Sequence, residues 1–435
     1  MKTQFVPPSV PSQQDKKRLS NGQALTLALL FVGYAGYYIC RVHLASTRSA
    51  IIDEYSGIGI NKQWIGTMTG TATGFYAFGK FCAGPLSDRF GGRTMFLIGM
   101  MAAILCTIAF GLSTTMAGFT VAWTLNRFLQ SLGWAGLVKT MSRWFPFSKY
   151  GSAMGIINMS FLLGDFVPKL VYGEMLNRGW GWRSIFFVAA ATLSVIFVVV
   201  FLFLKSSPTD VGLDEPPSSP DNLFGADDAP QSPLQIIAKL LSNPAFWTVC
   251  VLSFGFTFMR ETFNDWTPTY LHEVGKMSEG DASKQASLFP LFGAISVIGV
   301  GWLSDKLPKG GRALIIAVGL LLGTFSLGAL ATWNFSGDSR LLVAVVASIA
   351  FLLLGPYSLL AGAISLDMGG KQASATACGW IDGVGYVGGI LSGIWIGKIA
   401  EKQGWAPAFY VLAITSFISF LFAALYYVQD RKRQV

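Results

Sequence analysis

Long apolar stretches broken by short polar segments recur from one end of the chain to the other. Each suits a helix that crosses a bilayer, which needs about 20 apolar residues rising 1.5 Å apiece. The pattern predicts twelve spans, at 24–46, 64–84, 94–112, 117–139, 152–175, 182–204, 244–271, 286–304, 313–333, 341–364, 372–398 and 405–428. They form two groups of six. Between Lys205 and Lys239 lies "SSPTDVGLDEPPSSPDNLFGADDAPQSPLQIIA", rich in Pro, Ser and Asp and free of basic residues. Such a stretch predicts a flexible, solvated linker. The expected all-α organisation is therefore an N-terminal tail (1–23), a six-helix bundle (24–204), a linker (205–243), a second six-helix bundle (244–428) and a C-terminal tail (429–435). The first 22 residues contain no short apolar core with a cleavage site, so no cleaved signal peptide is expected.

The two groups repeat one another. "GPLSDRFGGR" (84–93) closes the second span and "GWLSDKLPKGGR" (301–312) closes the eighth, with Asp88 and Asp305 217 residues apart. Arg41, in "GYAGYYICRVHLAS", has its counterpart 219 residues later in Arg260, in "GFTFMRETFNDWTPTYL". Two landmarks with nearly one offset indicate a duplicated six-span unit. In the repeated loops, glycines permit close helix approach, while Asp88, Arg89, Arg93, Asp305 and Arg312 can clasp neighbouring helix ends. These five are assigned to gating.

Composition agrees with a polytopic membrane protein. Residues are 52% hydrophobic and only 13% charged, and mean hydropathy is +0.51, whereas soluble domains carry about 25% charged residues. The net charge of +9 reflects topology rather than nucleic acid. With the N-terminus cytoplasmic, 18 of the 32 Lys and Arg fall in cytoplasmic segments, 9 outside and 5 within spans, as the positive-inside rule requires. The five cysteines all fall in apolar segments without metal-ligand spacing. His43 and His272 are isolated, and no nucleophile–base constellation or phosphate-cradling glycine loop is evident. Neither an enzyme nor a metal or cofactor is expected.

The five basic residues within spans are Arg41, Lys80, Arg127, Lys169 and Arg260. A charge at the bilayer centre costs roughly 2.5–3.5 kcal/mol on insertion scales, so each should face a partner or a cavity. Lys169 has Asp165 one turn earlier, an expected ion pair. Arg127 and Gln130 share a helix face, open to a structural or a coupling role. Arg41, Lys80 and Arg260 lack a local acid: Glu261 is adjacent to Arg260 and should point elsewhere, and Asp265 lies slightly more than a turn away. Such cations would repel one another unless a doubly charged anion joins them. Phosphate fits, because guanidinium forks match its oxygens and lysine adds a point charge. Tyr34, Tyr38 and Arg41 share one face at i, i+4 and i+7; Tyr37 and Trp134 are further aromatic candidates.

"GPLSDRFGGR" resembles the G-x-L-x-D-R-x-G-R-R loop signature of the major facilitator superfamily, and "LNRFLQSLGW" resembles its fourth-span R-x-x-Q motif. More specifically, "GYAGYYICRVHLA", "FYAFGKFCAGPLSDR", "LQSLGWAGLVKTM" and "MRETFNDWTPTYLHEV" are similar to motifs of the organophosphate:phosphate antiporter family. "GPYSLLAGAISLDMG" and "ACGWIDGVGYVGG" resemble its eukaryotic sugar-phosphate exchangers. The resemblance implies a monomer in the plasma (inner, if bacterial) membrane. It would exchange a sugar phosphate or glycerol-3-phosphate for inorganic phosphate, by rocking two bundles around a midplane site. It implies that Arg41 and Arg260 grip the phosphate, with Lys80, Tyr34, Tyr38, Trp134 and Tyr386 beside them. Asp265, Asp382, Arg127 and Asp165 become coupling or ion-pair candidates. The chain departs from the family pattern at Val42, Ala135-Gly136, Phe161, Pro290 and Arg127. Two other readings remain: a proton- or sodium-coupled symporter of carboxylates or hexuronates, to which "RWFPFSKYGSAMG" is also similar, and a transporter-like sugar-phosphate sensor.

Overall fold

The structure, a computed structural model, describes residues 12–220, 222–225, 232–277, 279–308, 310–333, 335 and 339–432. The expected tails and linker therefore lie partly outside the described residues. Six helices make up the first group: α1 (Gln13–Tyr55), α2 (Lys62–Phe90), α3 (Gly92–Leu112), α4 (Met116–Trp144), α5 (Tyr150–Asn177) and α6 (Trp182–Phe203). A short α7 (Pro233–Leu241) precedes α8 (Pro244–Glu273), α9 (Glu279–Ala286), α10 (Leu288–Lys306), α11 (Gly311–Thr332), α12 (Ser339–Leu359), α13 (Ser365–Gln403) and α14 (Trp405–Lys432). Setting aside the short α7 and α9, twelve long helices remain. Capping side chains start several of them. Asn61 accepts from the Trp64 N–H at 2.8 Å and Thr115 from the Gly118 N–H at 3.1 Å, satisfying donors a helix leaves orphaned at its start.

By length and apolarity alone, only eight described segments qualify to cross a membrane, or nine when the bent pair α7–α8 is included. One of these segments, Ser339–Gln403, holds two spans. Leu360–Ile364 continues α12 as a π-turn, and the chain reverses at Gly370, whose φ of 55° a side chain would resist. The other two missing spans are α2 and α4. They pack on each other and on α13, so much of their surface meets protein, and Thr, Gly and charged residues replace lipid-facing side chains.

The halves meet through α2 against α13 and α5 against α10. Close packing makes this seam: a Cβ on Gly84 would lie 2.6 Å from the Ala375 carbonyl oxygen, and one on Gly151 2.1 Å from Ser304 Oγ. The repeated Gly-Gly-Arg has a common cause, since Gly91 and Gly310 turn the chain at φ 91° and 84° before α3 and α11.

Two expectations need correction. α1 begins at Gln13 rather than at residue 24, because Ser12 caps a polar extension in which its hydroxyl accepts from the Asp15 N–H. The described part of the linker is docked rather than solvated. Leu213 and Phe224 are buried, the Leu223 N–H donates to the Met368 carbonyl at 2.9 Å, and Glu215 pairs with Arg143 at 2.5 Å and Lys371 at 3.0 Å. Scattered apolar residues and one bridging acid offset the disorder that the Pro- and Ser-rich composition favours.

Candidate functional site

Between the halves lies a cavity of about 60 Å3, lined by Tyr34, Tyr38, Lys80, Trp134, Arg260 and Asp382 among others. Tyr38, Phe161, Arg260 and Tyr386 also line a second cavity of about 530 Å3, which runs past Lys169 and Pro268 toward the helix ends opposite the chain termini. Arg41 and Arg127 line this outer cavity. All seven residues expected to bind substrate thus border one of two adjoining spaces.

A kink sets Arg41. Cys40 leaves helical geometry (φ −87°, ψ 21°), and Gln130 Nε2 donates to its freed carbonyl at 3.1 Å. The other end of the same amide, Oε1, accepts from Arg41 Nε at 3.2 Å. Gln130 also donates to Asn126 Oδ1 at 2.6 Å, and Asn126 to Thr107 at 3.2 Å. This buried network holds the arginine from behind, leaving the rest of its fork toward the cavity, where it lies 4.5 Å from the Tyr38 ring and 4.8 Å from Tyr76.

Tyr76, which sequence reasoning passed over, is the hub. The Lys80 ammonium lies 5.0 Å and the Arg127 guanidinium 4.8 Å from its ring, and Tyr76 meets Tyr386 edge-on at 5.1 Å. Its spacing of four residues before Lys80 was the available signal. Tyr357, also missed, lies 4.8 Å from Arg260, which is 5.8 Å from Tyr386. Tyr34 packs on Trp134 at 5.0 Å, whereas Tyr37 faces the core and donates to the Phe96 carbonyl. Asn158 joins the wall of the inner cavity. Phe161, 6.0 Å from Tyr38, puts an apolar ring where the two cavities meet.

Lys80 has a distant acid, the ion-pair candidate Asp382, and the expectation that Glu261 points away from Arg260 is corrected. Lys80 donates to Asp382 at 2.8 Å across the seam, with both side chains buried. Arg260 pairs with Glu261 despite their adjacency, because two long side chains can curl around the helix to meet. Among the described residues, no carboxylate lies within 4 Å of Arg41 or Arg127. Asp265 is exposed in the outer cavity, and Asp165 and Lys169 form the expected pair at 2.5 Å there.

On the side of the termini, two aspartates cross the seam. Asp88 accepts from the Thr376 N–H at 2.8 Å and its hydroxyl at 2.7 Å, and pairs with Lys139 at 2.8 Å. Asp305 accepts from the Gly151 and Ser152 N–H groups at 2.8 and 2.7 Å, the first turn of α5, where backbone donors are free. Arg312 pairs with Asp305 and Asp367 within the second half. Arg89 and Arg93 do not join these contacts. Arg89 is exposed against Phe90, and Arg93 donates to the Phe201 and Leu204 carbonyls at 2.6 and 2.7 Å, tying down the end of α6. Lys139, Arg143, Lys371 and Glu215 serve the seam instead.

The sequence model of the Major Facilitator Superfamily matches residues 26–393. The chain belongs to the Major Facilitator Superfamily. It is an integral, multi-pass membrane protein with that superfamily's helical fold. The human organic anion transporter MFSD10 (TETRAN) superposes on it with a TM-score of 0.72 at 14% identity, over 92% of this chain and 99% of that one. In sequence, it is similar to a probable hexose phosphate transport protein of Chlamydia muridarum, 27% identical over 90% of this chain and 88% of that protein. The membrane sensor protein UhpC of Salmonella typhimurium is 29% identical over 91% of this chain and 89% of its own length.

Proposed function

We propose that this superfamily member is a secondary transporter that exchanges a phosphorylated organic solute, a sugar phosphate or glycerol-3-phosphate, for inorganic phosphate. One observation carries the reading. Four cations from both halves, Arg41, Lys80, Arg127 and Arg260, surround the Tyr76–Tyr386 pair, while two carboxylates are in contact with them. The surplus of two positive charges suits a phosphate dianion. Arg41 and Arg260, one from each half, are the proposed phosphate ligands, and Lys80, Tyr34, Tyr38, Trp134 and Tyr386 the surrounding wall.

Transport follows from charge. Closing the outer cavity over unpaired guanidiniums removes them from water with no compensating anion, at a cost of several kcal/mol each. Bound phosphate lowers that cost, so the two halves rock past one another mainly when loaded, and exchange is favoured over net flux. The cross-seam aspartates Asp88 and Asp305 act as the gate on the other side. In this proposal the protein works as a monomer in the plasma (inner, if bacterial) membrane with both termini in the cytoplasm. The two six-helix bundles, 24–204 and 244–428, are the rocking units.

The deciding experiment uses phosphate-loaded proteoliposomes and follows labelled phosphate efflux. Efflux that requires an external phosphoester and ignores an imposed pH gradient supports exchange; uptake of a carboxylate that collapses with the gradient overturns it. The 29% identity to a membrane sensor supports a second reading, in which the same site binds sugar phosphate for signalling. Tight binding without efflux would favour it.

A further inference from the structure

Arg127 and Glu261 are left over from the substrate grip, and their surroundings connect them. Arg127 Nη1 is buried without a partner among the described residues. Gln130, on the same face of α4, cannot serve it, because its amide is committed to Cys40, Asn126 and Arg41. Glu261 engages Arg260 through Nη2, while Arg260 Nε is buried with no partner among the described residues. Arg260 is therefore only partly satisfied, by one carboxylate oxygen of its chain neighbour and by Tyr386. A phosphate dianion offers more oxygens and twice the charge, and competes well for such a fork.

Arg127 and Glu261 line the same outer cavity from opposite halves, on α4 and α8. Beside this cavity the Tyr76 and Tyr386 rings meet 5.1 Å apart, with Arg127 over the first and Arg260 over the second. Glu261 lies along α13, where a Cβ on Gly389 would be 3.0 Å from its Cγ. A carboxylate released from Arg260 would thus face an unpartnered guanidinium across a cavity that narrows when the halves close.

We infer that Glu261 changes partner during transport, from Arg260 to Arg127, when substrate phosphate takes its place on Arg260. The new pair closes the outer cavity over the substrate. Without phosphate, the same closure would leave Arg260 as an unpaired buried cation. Occupancy and closure are thereby linked through one carboxylate, which binds differently in the two states. The inference rests on the phosphate-exchange reading above.

Its test combines phosphate exchange in proteoliposomes with equilibrium binding of inorganic phosphate to the purified full-length protein. Glu261→Gln frees Arg260, so it should bind phosphate about threefold more tightly yet exchange about tenfold more slowly. Arg127→Gln should slow exchange about tenfold and, because it removes one of the two surplus charges, weaken phosphate binding about threefold, the opposite sign to Glu261→Gln. The double variant should be no slower than the slower single one, the signature of a shared contact. Should either glutamine variant fail to elute as a folded species, Glu261→Asp and Arg127→Lys carry the same comparison with the charge retained. Losses that multiply, weaker phosphate binding by Glu261→Gln, or unchanged exchange in either variant would overturn the partner change while leaving exchange itself established. Absence of exchange in the unaltered protein would instead overturn the transport reading, and this inference with it.

Discussion

Arg41 owes its position to Gln130 as much as to its own helix. The Cys40 kink frees a carbonyl, Gln130 answers it, and the remaining amide oxygen holds the guanidinium by one nitrogen. Replacing Arg41 or Arg260 by lysine keeps the charge but removes the planar fork. Each substitution should reduce phosphate exchange at least thirtyfold, about 2 kcal/mol or more of lost binding, while the protein still elutes as a folded species in detergent. Gln130→Ala leaves the Cys40 carbonyl without its amide partner, which costs about 1–3 kcal/mol. We expect a lower unfolding temperature together with a raised KM for phosphoester, measured in the same preparation. An effect on stability alone would make Gln130 a packing residue. Asp382 belongs to this scale too. Its ion pair with Lys80 is buried and joins the halves, so removing either partner should be far more harmful than removing both.

At the scale of elements, the seam is built from glycine-lined contacts and two aspartates that reach across it. Gly84 meets the backbone of α13 at Ala375 and Thr376, and Gly151 meets α10 at Gly301 and Ser304. A valine at Gly84 has no flexible neighbour to displace, since backbone atoms of α13 stand 2.6 Å from its first side-chain carbon. Gly84→Val should therefore force α2 and α13 apart at the end nearest the termini. The check is labelling of a cysteine introduced at Thr376, which should become more reactive with the substitution than without it. Unchanged labelling would place the seam's hold elsewhere. These elements also explain the seam's polarity. Asp305 accepts N–H groups at the start of α5 in the other half, where the helix dipole favours an anion, and Asp88 accepts the N–H and hydroxyl of Thr376 within α13. Bulk apolar packing would be harder to break and reform in a transport cycle.

Across the whole molecule, the linker spans the same side as the aspartates. Glu215 bridges Arg143, at the end of α4, and Lys371, just beyond the turn at Gly370 in α13. Both contacts must break if the halves separate there. Partly exposed pairs contribute about 0.2–1 kcal/mol each, so losing both in Glu215→Gln should shift the balance toward the state open on that side by about two- to thirtyfold. Distances between spin labels on the two halves would register the shift as a growing long-distance population. A distribution identical to that of the unaltered protein would make the linker a tether without influence.

The fold was legible in the sequence because it rests on local and repeated features. Apolar runs of bilayer length, a duplicated Asp-containing loop and a nearly constant offset between Arg41 and Arg260 required no knowledge of contacts. Even so, α2 and α4 are less apolar than the lipid-facing helices, since packing against protein rather than lipid relaxes the demand on composition. The cations that border the two cavities were also legible, because a charge in an apolar span must face something, whereas Tyr76 and Tyr357 carried no such signal. The cations' partners were legible only in part, Asp382 being an ion-pair candidate whose cation the sequence left open. Lys80 finds Asp382 302 residues away, and Glu261 curls back to its neighbour, a matter of side-chain reach that helix spacing does not describe. Tyr76 becomes the hub only because three cations from three helices converge on its ring. Sequence alone determined that the chain crosses the membrane as two like halves with cations inside. Tertiary structure decided which of those cations are neutralised and which remain for an anion, because ion pairing depends on distances across the seam that no local pattern encodes.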